Sequence, residues 1–224
     1  MAQARPCVYL VPYDEVPEAR RENLRPAART GGFPALPDGV NRSDGKEPLV
    51  LSVDCAALPH GALDIELPVD GQLLFFTEIE YPPESSEVLH IPAAAVRTTE
   101  RFATCQLDGE DAQSRVYEPR TLYPVTGLTF DSEWQGGPQT STLDGFEEAV
   151  LDLAFGGPRP GVCVRIGGYS DPWDMAPDVD GLVLLAQFAG QAIDYDVFTM
   201  NLIVGTREDI AAGRYAGLRY EQQC

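Results

Sequence analysis

The part of the sequence best equipped for chemistry is a short acidic segment in its C-terminal third. Four carboxylates lie close together there: Asp171, Asp174, Asp178 and Asp180. Calcium prefers oxygen ligands of this kind, although the residue order of an EF-hand loop and its closing glutamate are missing. The segment therefore predicts one of two structures. It is a metal site or, as we favour, a solvated acidic loop between two strands in which Trp173 covers the core.

Two polar residues in comparable places in the two halves of the chain indicate a second kind of site. Asp54 ends the apolar run 49–54, and Gln187 lies in the apolar run 184–188. If a groove lies between the two halves, these side chains and the acidic segment would converge on it. We therefore name Asp54, Gln187 and Trp173 as candidate ligand-binding residues, and no cofactor is implied.

The residue types needed for nucleophilic catalysis are present, but their spacing does not indicate an active site. His60 and His90 are the only histidines, and neither has the spacing of a metal-binding pair or a catalytic triad. No G-x-S-x-G motif marks a serine nucleophile. A cysteine nucleophile would have to recruit one of the two histidines across the fold, which the sequence leaves open. We predict no catalytic residue.

The charge of the chain limits its partners. Its 224 residues include 35 acidic and 16 basic side chains, which gives a net charge of −19. Nucleic acids and anionic membranes are bound mainly through basic side chains, so this charge repels both. It suits a basic protein partner, or it serves solubility alone. We expect no nucleic-acid and no membrane partner.

Cysteine usage and hydropathy together predict the compartment. The five cysteines are scattered and form no C-x-x-C pair, which favours free thiols in a reducing environment. No apolar run approaches the roughly 20 residues of a membrane span, and the N-terminus lacks a signal-peptide core. The expected location is the cytoplasm.

Hydrophobic periodicity predicts both strands and helices. A segment rich in Glu, Arg and Ala at 14–28 is compatible with a helix, and apolar residues at helical spacing predict another helix near 142–154. A short helix is predicted at 207–212. Strands are predicted from compact or alternating apolar runs at 8–11, 49–54, 71–78, 87–91, 161–166, 181–188 and 197–204.

The two halves of the chain contain the same series of patterns. Each has two glycines and an aromatic residue, Gly31-Gly32-Phe33 and Gly167-Gly168-Tyr169, followed by a polar loop and two apolar strands. This series predicts two structural repeats that are related by a pseudo-twofold axis and share one core. The predicted fold class is α+β, predominantly β, with a helical N-terminal flank and a single domain. The predicted divisions are repeat one at about 30–100, a linking region at 101–160 and repeat two at about 161–224.

These patterns resemble the YwqG-like family, a bacterial domain family of unknown function. The first half is similar in its Gly-Gly-x-Pro-x-Leu-Pro entry at 31–37 and in the strands 48–54 and 71–76. The second half is similar at 167–169 and 184–187, while the middle of the chain matches poorly. The family often carries the motif Gln-Ile-Asp within each of these strands. Here the first strand has Ser52-Val53-Asp54, which lacks the Gln, and the second has Gln187-Phe188-Ala189, which lacks the Asp. The resemblance implies one YwqG-like domain and, because some members lie near toxin systems, an immunity-like role.

Three functional classes remain open at this point. The favoured one is a non-catalytic cytoplasmic protein that binds a basic protein, with an immunity-like role implied by resemblance only. Its expected surface anchors are the aromatic side chains Phe33, Tyr169 and Trp173. The first alternative is a module that binds a small ligand or metal in the groove between the repeats. The second is an unrecognised hydrolase.

Overall fold

Most of the described chain forms β-strands. A computed structural model describes residues 4–34, 36–37, 47–83, 86–95, 104–107, 110–113, 115–131 and 141–224. The strands are β1 (Arg5–Val11), β2 (Ala28–Thr30), β3 (Leu49–Asp54), β4 (Gln72–Phe76), β5 (Glu87–Ile91), β6 (Thr104–Leu107), β7 (Glu110–Gln113), β8 (Arg120–Thr129), β9 (Val164–Ile166), β10 (Leu182–Ala189), β11 (Met200–Thr206) and β12 (Arg219–Gln223). The α-helices in these ranges are α1 (Ser141–Phe155) and α2 (Arg207–Ala211).

Ten of the strands form one antiparallel sheet, and β6 and β7 form a separate hairpin. The order across the sheet is β12-β11-β10-β9-β1-β8-β2-β3-β4-β5. The centre consists of β1 and β8, where Cys7 pairs with Gly127. From this centre, one flank runs outward through β2 to β5 and the other through β9 to β12. The sheet curls into a half-barrel, so its two flanks face each other.

Side chains join the two flanks across the open side of the half-barrel. In β12, Gln222 donates from Nε2 to the Glu78 carbonyl at 3.2 Å. Beside β11, the Thr199 hydroxyl donates to the Ile79 carbonyl at 2.7 Å. These bonds hold the segment that follows β4 against the opposite flank.

The inner face of the half-barrel carries the main hydrophobic core. Phe75 of β4 and Phe188 of β10 are fully buried in it, together with Leu51 of β3. Residues outside the strands also belong to this core, including Ile65 in the loop between β3 and β4 and Ile210 in α2. Burial of apolar surface on this scale is the main favourable contribution to folding.

A β-bulge in each flank increases the number of residues that face this core. The register between β3 and β4 shifts from Leu49 to Leu51, so Val50 is the extra residue. Leu49 packs on the outer face of the sheet, whereas Val50 and Leu51 both lie in the inner core. The register between β10 and β11 shifts in the same way around Leu185. A bulge adds local twist to its strand, which helps each flank to curl.

The outer face of the sheet centre is covered by α1 and by the turns after β1. The Phe155 ring at the end of α1 meets the Tyr9 ring of β1 edge to face, with centroids 5.2 Å apart. Arg20 donates to the Ala154 carbonyl at 2.7 Å and so fastens the same end of the helix. Aromatic pairs of this geometry add to the energy of simple burial.

Each of the two Gly-Gly turns has an equivalent hydrogen bond, from an arginine side chain to a main-chain carbonyl. In the first, Arg29 donates to the Phe33 carbonyl at 3.1 Å, and in the second Arg165 donates to the Tyr169 carbonyl at 2.6 Å. Gly168 has φ +81°, and a Cβ there would lie 2.5 Å from the Thr129 hydroxyl. Glycine is therefore required at this turn by both its backbone conformation and its space.

The predicted fold class, an α+β domain of two pseudo-twofold repeats with a helical N-terminal flank, is wrong. The described residues form a predominantly β protein built on one ten-stranded curled sheet, and its long helix lies at 141–155, far from the N-terminus. Within 14–28 the chain makes only the 3₁₀ turns Tyr13–Glu15 and Glu18–Arg20. Proline removes a backbone donor before each turn, and Asn23 adopts φ +57°, which an α-helix cannot contain.

Several predicted elements are confirmed. The strands predicted at 49–54 and 87–91 coincide with β3 and β5, and the helices predicted at 142–154 and 207–212 correspond to α1 and α2. The strand predicted at 161–166 is shorter, because β9 begins only at Val164. Elements with a strong apolar period were thus located to within a few residues.

Candidate functional site

Gln187, a predicted ligand-binding residue, is buried, and the protein occupies its side-chain oxygen. Its side chain is 4% exposed. Its Oε1 accepts a hydrogen bond from Arg165 Nη2 at 3.0 Å and another from the Asp171 backbone N–H at 2.8 Å. Gln187 therefore orders the start of the acidic loop, and its Oε1 is not available to a ligand.

Asp54 and Trp173 do not join Gln187. Asp54 ends β3 on the other flank, where its carboxylate accepts a hydrogen bond from the Ala56 backbone N–H at 3.1 Å and caps a short turn. Trp173 is 54% exposed, so it does not cover the core as predicted. Its backbone N–H donates to Gln223 Oε1 at 2.7 Å. The structure brings only Gln187 and the acidic loop together.

The four aspartates of the acidic loop have different surroundings. Asp178 accepts hydrogen bonds from the backbone N–H and the hydroxyl of Ser170, while Asp171 and Asp174 are exposed. Asp180 has φ +53° and forms the turn into β10. In the described part of the chain, no group of three or more His, Cys, Asp or Glu side chains is arranged to hold a metal ion. Asp178 and Asp180 line a polar hollow of about 340 Å³.

A cation of the protein already occupies one side of that hollow. Arg5 lines it and stacks over the Tyr169 ring, with the guanidinium carbon 3.8 Å from the ring centroid. A fixed guanidinium repels a metal ion and offers the carboxylates an alternative counter-charge. The acidic loop is best described as a set of local turn contacts beside an arginine.

The two histidines are bound to main-chain oxygens and face no described cysteine thiol. His60 Nε2 donates to the Cys55 carbonyl at 2.8 Å, and His90 Nε2 donates to the Asp70 carbonyl at 2.9 Å. Burial raises the pKa of the Cys55 thiol to about 12. A thiol is a nucleophile only as the thiolate, so this arrangement gives Cys55 no activation.

A cleft opens at the end of the sheet where β1 ends and β8 begins, which we call the mouth. Its volume is about 240 Å³. The floor is formed by the core residues Leu10 and Leu122, and the walls include Glu15, Arg120 and Tyr195. Burial, together with the neighbouring Asp14, raises the pKa of the Glu15 carboxyl. The cleft thus combines an apolar floor with one acidic and one basic group at its entrance.

Tyr195, which lines this cleft, is one of four exposed apolar residues that we call the mouth patch. Its members are Tyr81, Val116, Tyr195 and Phe198, which are 65%, 45%, 73% and 64% exposed. Single exposed apolar residues are ordinary on a protein surface, but a group that includes three aromatic rings indicates a binding surface.

An arginine bridge joins the segments that carry three members of the mouth patch. The Arg115 guanidinium pairs with the Glu80 carboxylate and, at 3.1 Å, with Asp194 Oδ2. Each of these charged residues is followed in the chain by a patch residue: Tyr81 after Glu80, Val116 after Arg115, and Tyr195 after Asp194. Phe198 adjoins Thr199, whose hydroxyl is bonded to the neighbouring Ile79 carbonyl.

The backbone beneath the patch is held in place by Glu78. Its carboxylate accepts hydrogen bonds from the Ile79 backbone N–H at 2.8 Å and from the Tyr117 hydroxyl at 2.9 Å. The Glu78 carbonyl accepts the bond from Gln222 that joins the flanks. A surface fixed in this way loses little entropy when a partner binds.

Sequence reasoning missed these residues. It named Phe33, Tyr169 and Trp173 as exposed anchors, but Tyr169 is buried at 9% exposure and only Trp173 is well exposed. The available signal was the position of the rings between polar or turn-forming residues, as in Asp194-Tyr195-Asp196. Such positions are poor places for a core side chain.

Neither the models of protein families nor the curated proteins contain a match to this chain. The YwqG-like assignment therefore stays a prediction. Among the helices that the structure describes, none combines the length and apolar character needed to cross a membrane.

Proposed function

We propose that the protein is a non-catalytic binding domain that recognises a basic partner protein through the mouth. The observation that carries the proposal is the mouth patch, in which three exposed aromatic rings lie on segments joined by the Arg115 bridge and by the Thr199–Ile79 hydrogen bond. Aromatic residues and arginine are enriched at protein interfaces and among the residues that dominate their affinity.

The electrostatics of the mouth support a basic partner. Asp196 and Glu118 are exposed beside the patch, while the charge of Arg115 is already shared between two carboxylates. The net charge of −19 extends this attraction beyond the contact surface. Opposite charge chiefly speeds encounter, whereas the aromatic anchors determine how long a complex lasts.

The size of the cleft favours a side chain of the partner over a free small molecule. Small-molecule pockets usually measure about 300–1,000 Å³, and the mouth cleft measures about 240 Å³. A single aliphatic, aromatic or arginine side chain fits a space of this order. The cleft would then receive an anchor of the partner, while the mouth patch contacts the surface around that anchor.

A small-ligand function is the second candidate, since the lining of the same cleft suits a ligand even though its volume is below the usual range. Its apolar floor and the convergence of Glu15 and Arg120 are typical of ligand pockets. Such a ligand would be compact and would carry both a polar and an apolar part. The YwqG-like resemblance, an immunity-like role and a cytoplasmic location remain parts of our proposal that await their own tests.

The test compares binding by the wild-type protein and by a Tyr195→Ser, Phe198→Ser double variant. Val69→Ser is the matched control, because it also replaces an exposed apolar side chain, 76% exposed, outside the mouth patch. Val69 lies before β4, whereas the mouth-patch residue Tyr81 lies after the other end of that strand. Basic proteins recovered from the native host on the wild-type bait would be purified and measured against all three baits.

We expect the double variant to lose at least about 10-fold in affinity, or 1.4 kcal/mol, and the control to bind like wild type. Equal binding by the double variant and wild type would contradict the proposal. Binding of small metabolites that is lost only when the cleft is filled, as in Leu122→Phe, would favour the second candidate.

A further inference from the structure

Glu15 is the acidic group of the mouth cleft, and within the residues that the structure describes it has no cationic partner. It lines the cleft together with Arg120, yet no hydrogen bond or ion pair joins these two side chains in the described part of the chain. Burial and the neighbouring Asp14 raise the pKa of the Glu15 carboxyl, and no described basic side chain is close enough to oppose them. Its negative charge is therefore partly desolvated without compensation.

The turn that carries Glu15 is fixed in place at the end of β1. Arg21 fastens this turn, since its Nε donates to the Val16 carbonyl and its Nη2 to the Asp14 carbonyl, both at 2.9 Å. The Glu15 carboxyl is also close enough to raise the pKa of Cys163, which lines the same cleft just before β9. The carboxylate is thus already positioned in the cleft, so a partner loses little entropy in finding it.

The rest of the lining suits the stem of a long side chain. Leu10 and Leu122 form a buried floor, and Val162 and Ala192 add apolar surface to the walls. Lysine and arginine side chains pack their methylene stems on such surface and keep their charged ends in a polar place. The exposed Tyr195 ring at the wall adds an aromatic face, to which a guanidinium or ammonium group is attracted.

Arg120 opposes a cation in this cleft, but only in part. It is exposed, so solvent and salt screen its charge. It is also absent from the groups that affect the pKa of Glu15, so it does not neutralise the carboxylate. The net charge of −19 acts in the same direction as Glu15. The balance of charge at the cleft therefore favours a cationic occupant.

We propose that the mouth cleft receives a lysine or arginine side chain of the partner, with its stem on Leu10 and Leu122 and its charged end on the Glu15 carboxylate. This inference rests on the proposed function and narrows it, because it gives the chemistry of the anchor. Glu15 is then the residue that selects a basic anchor over an apolar or acidic one. A carboxylate that pairs with a cation only in the complex serves specificity more than stability.

The test titrates the full chain with blocked single amino acids and follows the leucine methyl signals by NMR. The probes are the Nα-acetyl methylamides of arginine, of norleucine, which keeps an unbranched stem without the charge, and of glutamate. We expect the arginine probe to shift the methyl signals of Leu10 and Leu122 with saturation. The norleucine probe should bind at least about 5-fold more weakly, because it cannot pair with Glu15, and the glutamate probe should not bind.

Charge variants report the sign of the occupant. Glu15→Gln should lower the affinity for the arginine probe at least about 5-fold, whereas Arg120→Gln should raise it about 2-fold, because the first removes an attraction and the second a repulsion. The matched controls are Glu18→Gln and Arg25→Gln, which remove the same charges from exposed positions outside the cleft lining. Both controls should bind the probe like wild type.

Three results would overturn the proposal. Equal binding of the arginine and norleucine probes would show that the cleft takes an apolar anchor. Tighter binding of the glutamate probe, with the effects of Glu15→Gln and Arg120→Gln reversed, would show an anionic anchor. The absence of any methyl shift with all three probes would show that the cleft receives no side chain.

The partner recovered from the native host separates this inference from the function on which it rests. If that partner loses affinity for the Tyr195→Ser, Phe198→Ser double variant but binds Glu15→Gln like wild type, the proposed function stands and the basic anchor is refuted. If the arginine probe depends on Glu15 while the partner binds the double variant like wild type, the cation pocket is supported and the mouth patch is not the interface.

Discussion

Asp64→Ala should be one of the most damaging single substitutions outside the apolar core. Asp64 lies between β3 and β4, and its side chain is 7% exposed. Its Oδ1 accepts a hydrogen bond from the Gly168 backbone N–H at 2.7 Å. Its Oδ2 lies 3.2 Å from Arg207 Nη2 and 3.9 Å from Arg5 Nε. One carboxylate thus joins the first flank, the second Gly-Gly turn and the start of α2.

The expected loss follows from the burial of each contact. A hydrogen bond to a charged group contributes about 1.5–3 kcal/mol, and its loss leaves a buried N–H without an acceptor. The pair with Arg207 contributes about 0–1 kcal/mol, because the arginine side chain is 47% exposed and solvent screens it. The contact with Arg5 is long and adds little. We therefore expect Asp64→Ala to lower the free energy of unfolding by about 2–4 kcal/mol.

The measurement is urea unfolding followed by linear extrapolation, with thermal unfolding as a second method. For a chain of this length, 1 kcal/mol corresponds to a shift of about 2–4 °C. Two further variants divide the effect between its contacts. Asp64→Asn keeps an acceptor for Gly168 and should lose about 1 kcal/mol. Arg207→Gln removes the exposed pair and an exposed hydrogen bond from Arg207 Nη1 to the Asp64 carbonyl, and it should lose less than that.

The result that would refute this reasoning is a small loss in Asp64→Ala. A change below about 0.5 kcal/mol would be typical of a surface position, and it would show that Asp64 does not join the flanks. A loss equal to that of Arg207→Gln would show that the ion pair, and not the buried hydrogen bond, is the main contribution.

Three other substitutions test separate parts of the structure. Gly168→Ala should lower the free energy of unfolding by about 2–5 kcal/mol, because a positive φ and a close contact with Thr129 both oppose a Cβ; Gly161→Ala, which meets no atom within 4 Å, is its control in the same urea experiment. Burial raises the pKa of the Glu15 carboxyl in the folded protein. Its ionised form therefore destabilises the folded state, and this loss of stability develops as pH rises from the ordinary glutamate pKa of about 4.3 through the raised pKa. Glu15→Gln should therefore stabilise the protein slightly at pH 7 and leave it unchanged at pH 3, and equal effects at both pH values would count against this. Association with a basic partner should slow steeply between low and physiological salt, where the screening length is about 8 Å, whereas Phe198→Ser should mainly speed dissociation in surface-based kinetics; an association rate indifferent to salt would leave the charge without a role in binding.

Local elements of the fold could be predicted from the sequence, but the class could not. The helix at 142–154 and the strand at 49–54 were located because their apolar residues recur at a single period. The segment 14–28 misled, because its composition suits a helix while Pro17 and the positive φ of Asn23 break it. Composition averages over a segment, whereas one residue with a forbidden dihedral angle is enough to end a helix.

The candidate site depends on contacts between residues far apart in the chain, which a sequence does not display. Arg115 meets Asp194 only because the sheet curls until its flanks touch. Asp64 looks like an ordinary loop aspartate until Gly168 and Arg207 arrive from the other flank. Gln187 was predicted as a ligand-binding residue, whereas in the structure its Oε1 accepts hydrogen bonds from Arg165 and from the Asp171 backbone N–H, two partners that the sequence does not place beside it.

The place of β1 at the centre of the sheet sets the order in which the protein can be completed. Val8 pairs with Ile166, so 158 residues separate the two partners of one central ladder. At a synthesis rate of roughly 5–20 residues per second, β1 leaves the ribosome roughly 8–30 seconds before β9. The other neighbour of β1, β8, also follows late, because Val8 pairs with Thr126, which is 118 residues further along the chain. For most of that interval the buried apolar residues of β1, 7–11, therefore have no partner strand. Such an unpaired strand is prone to aggregate. Production of this protein should therefore gain more from slower synthesis and from chaperones that bind nascent chains than from changes at its folded surface.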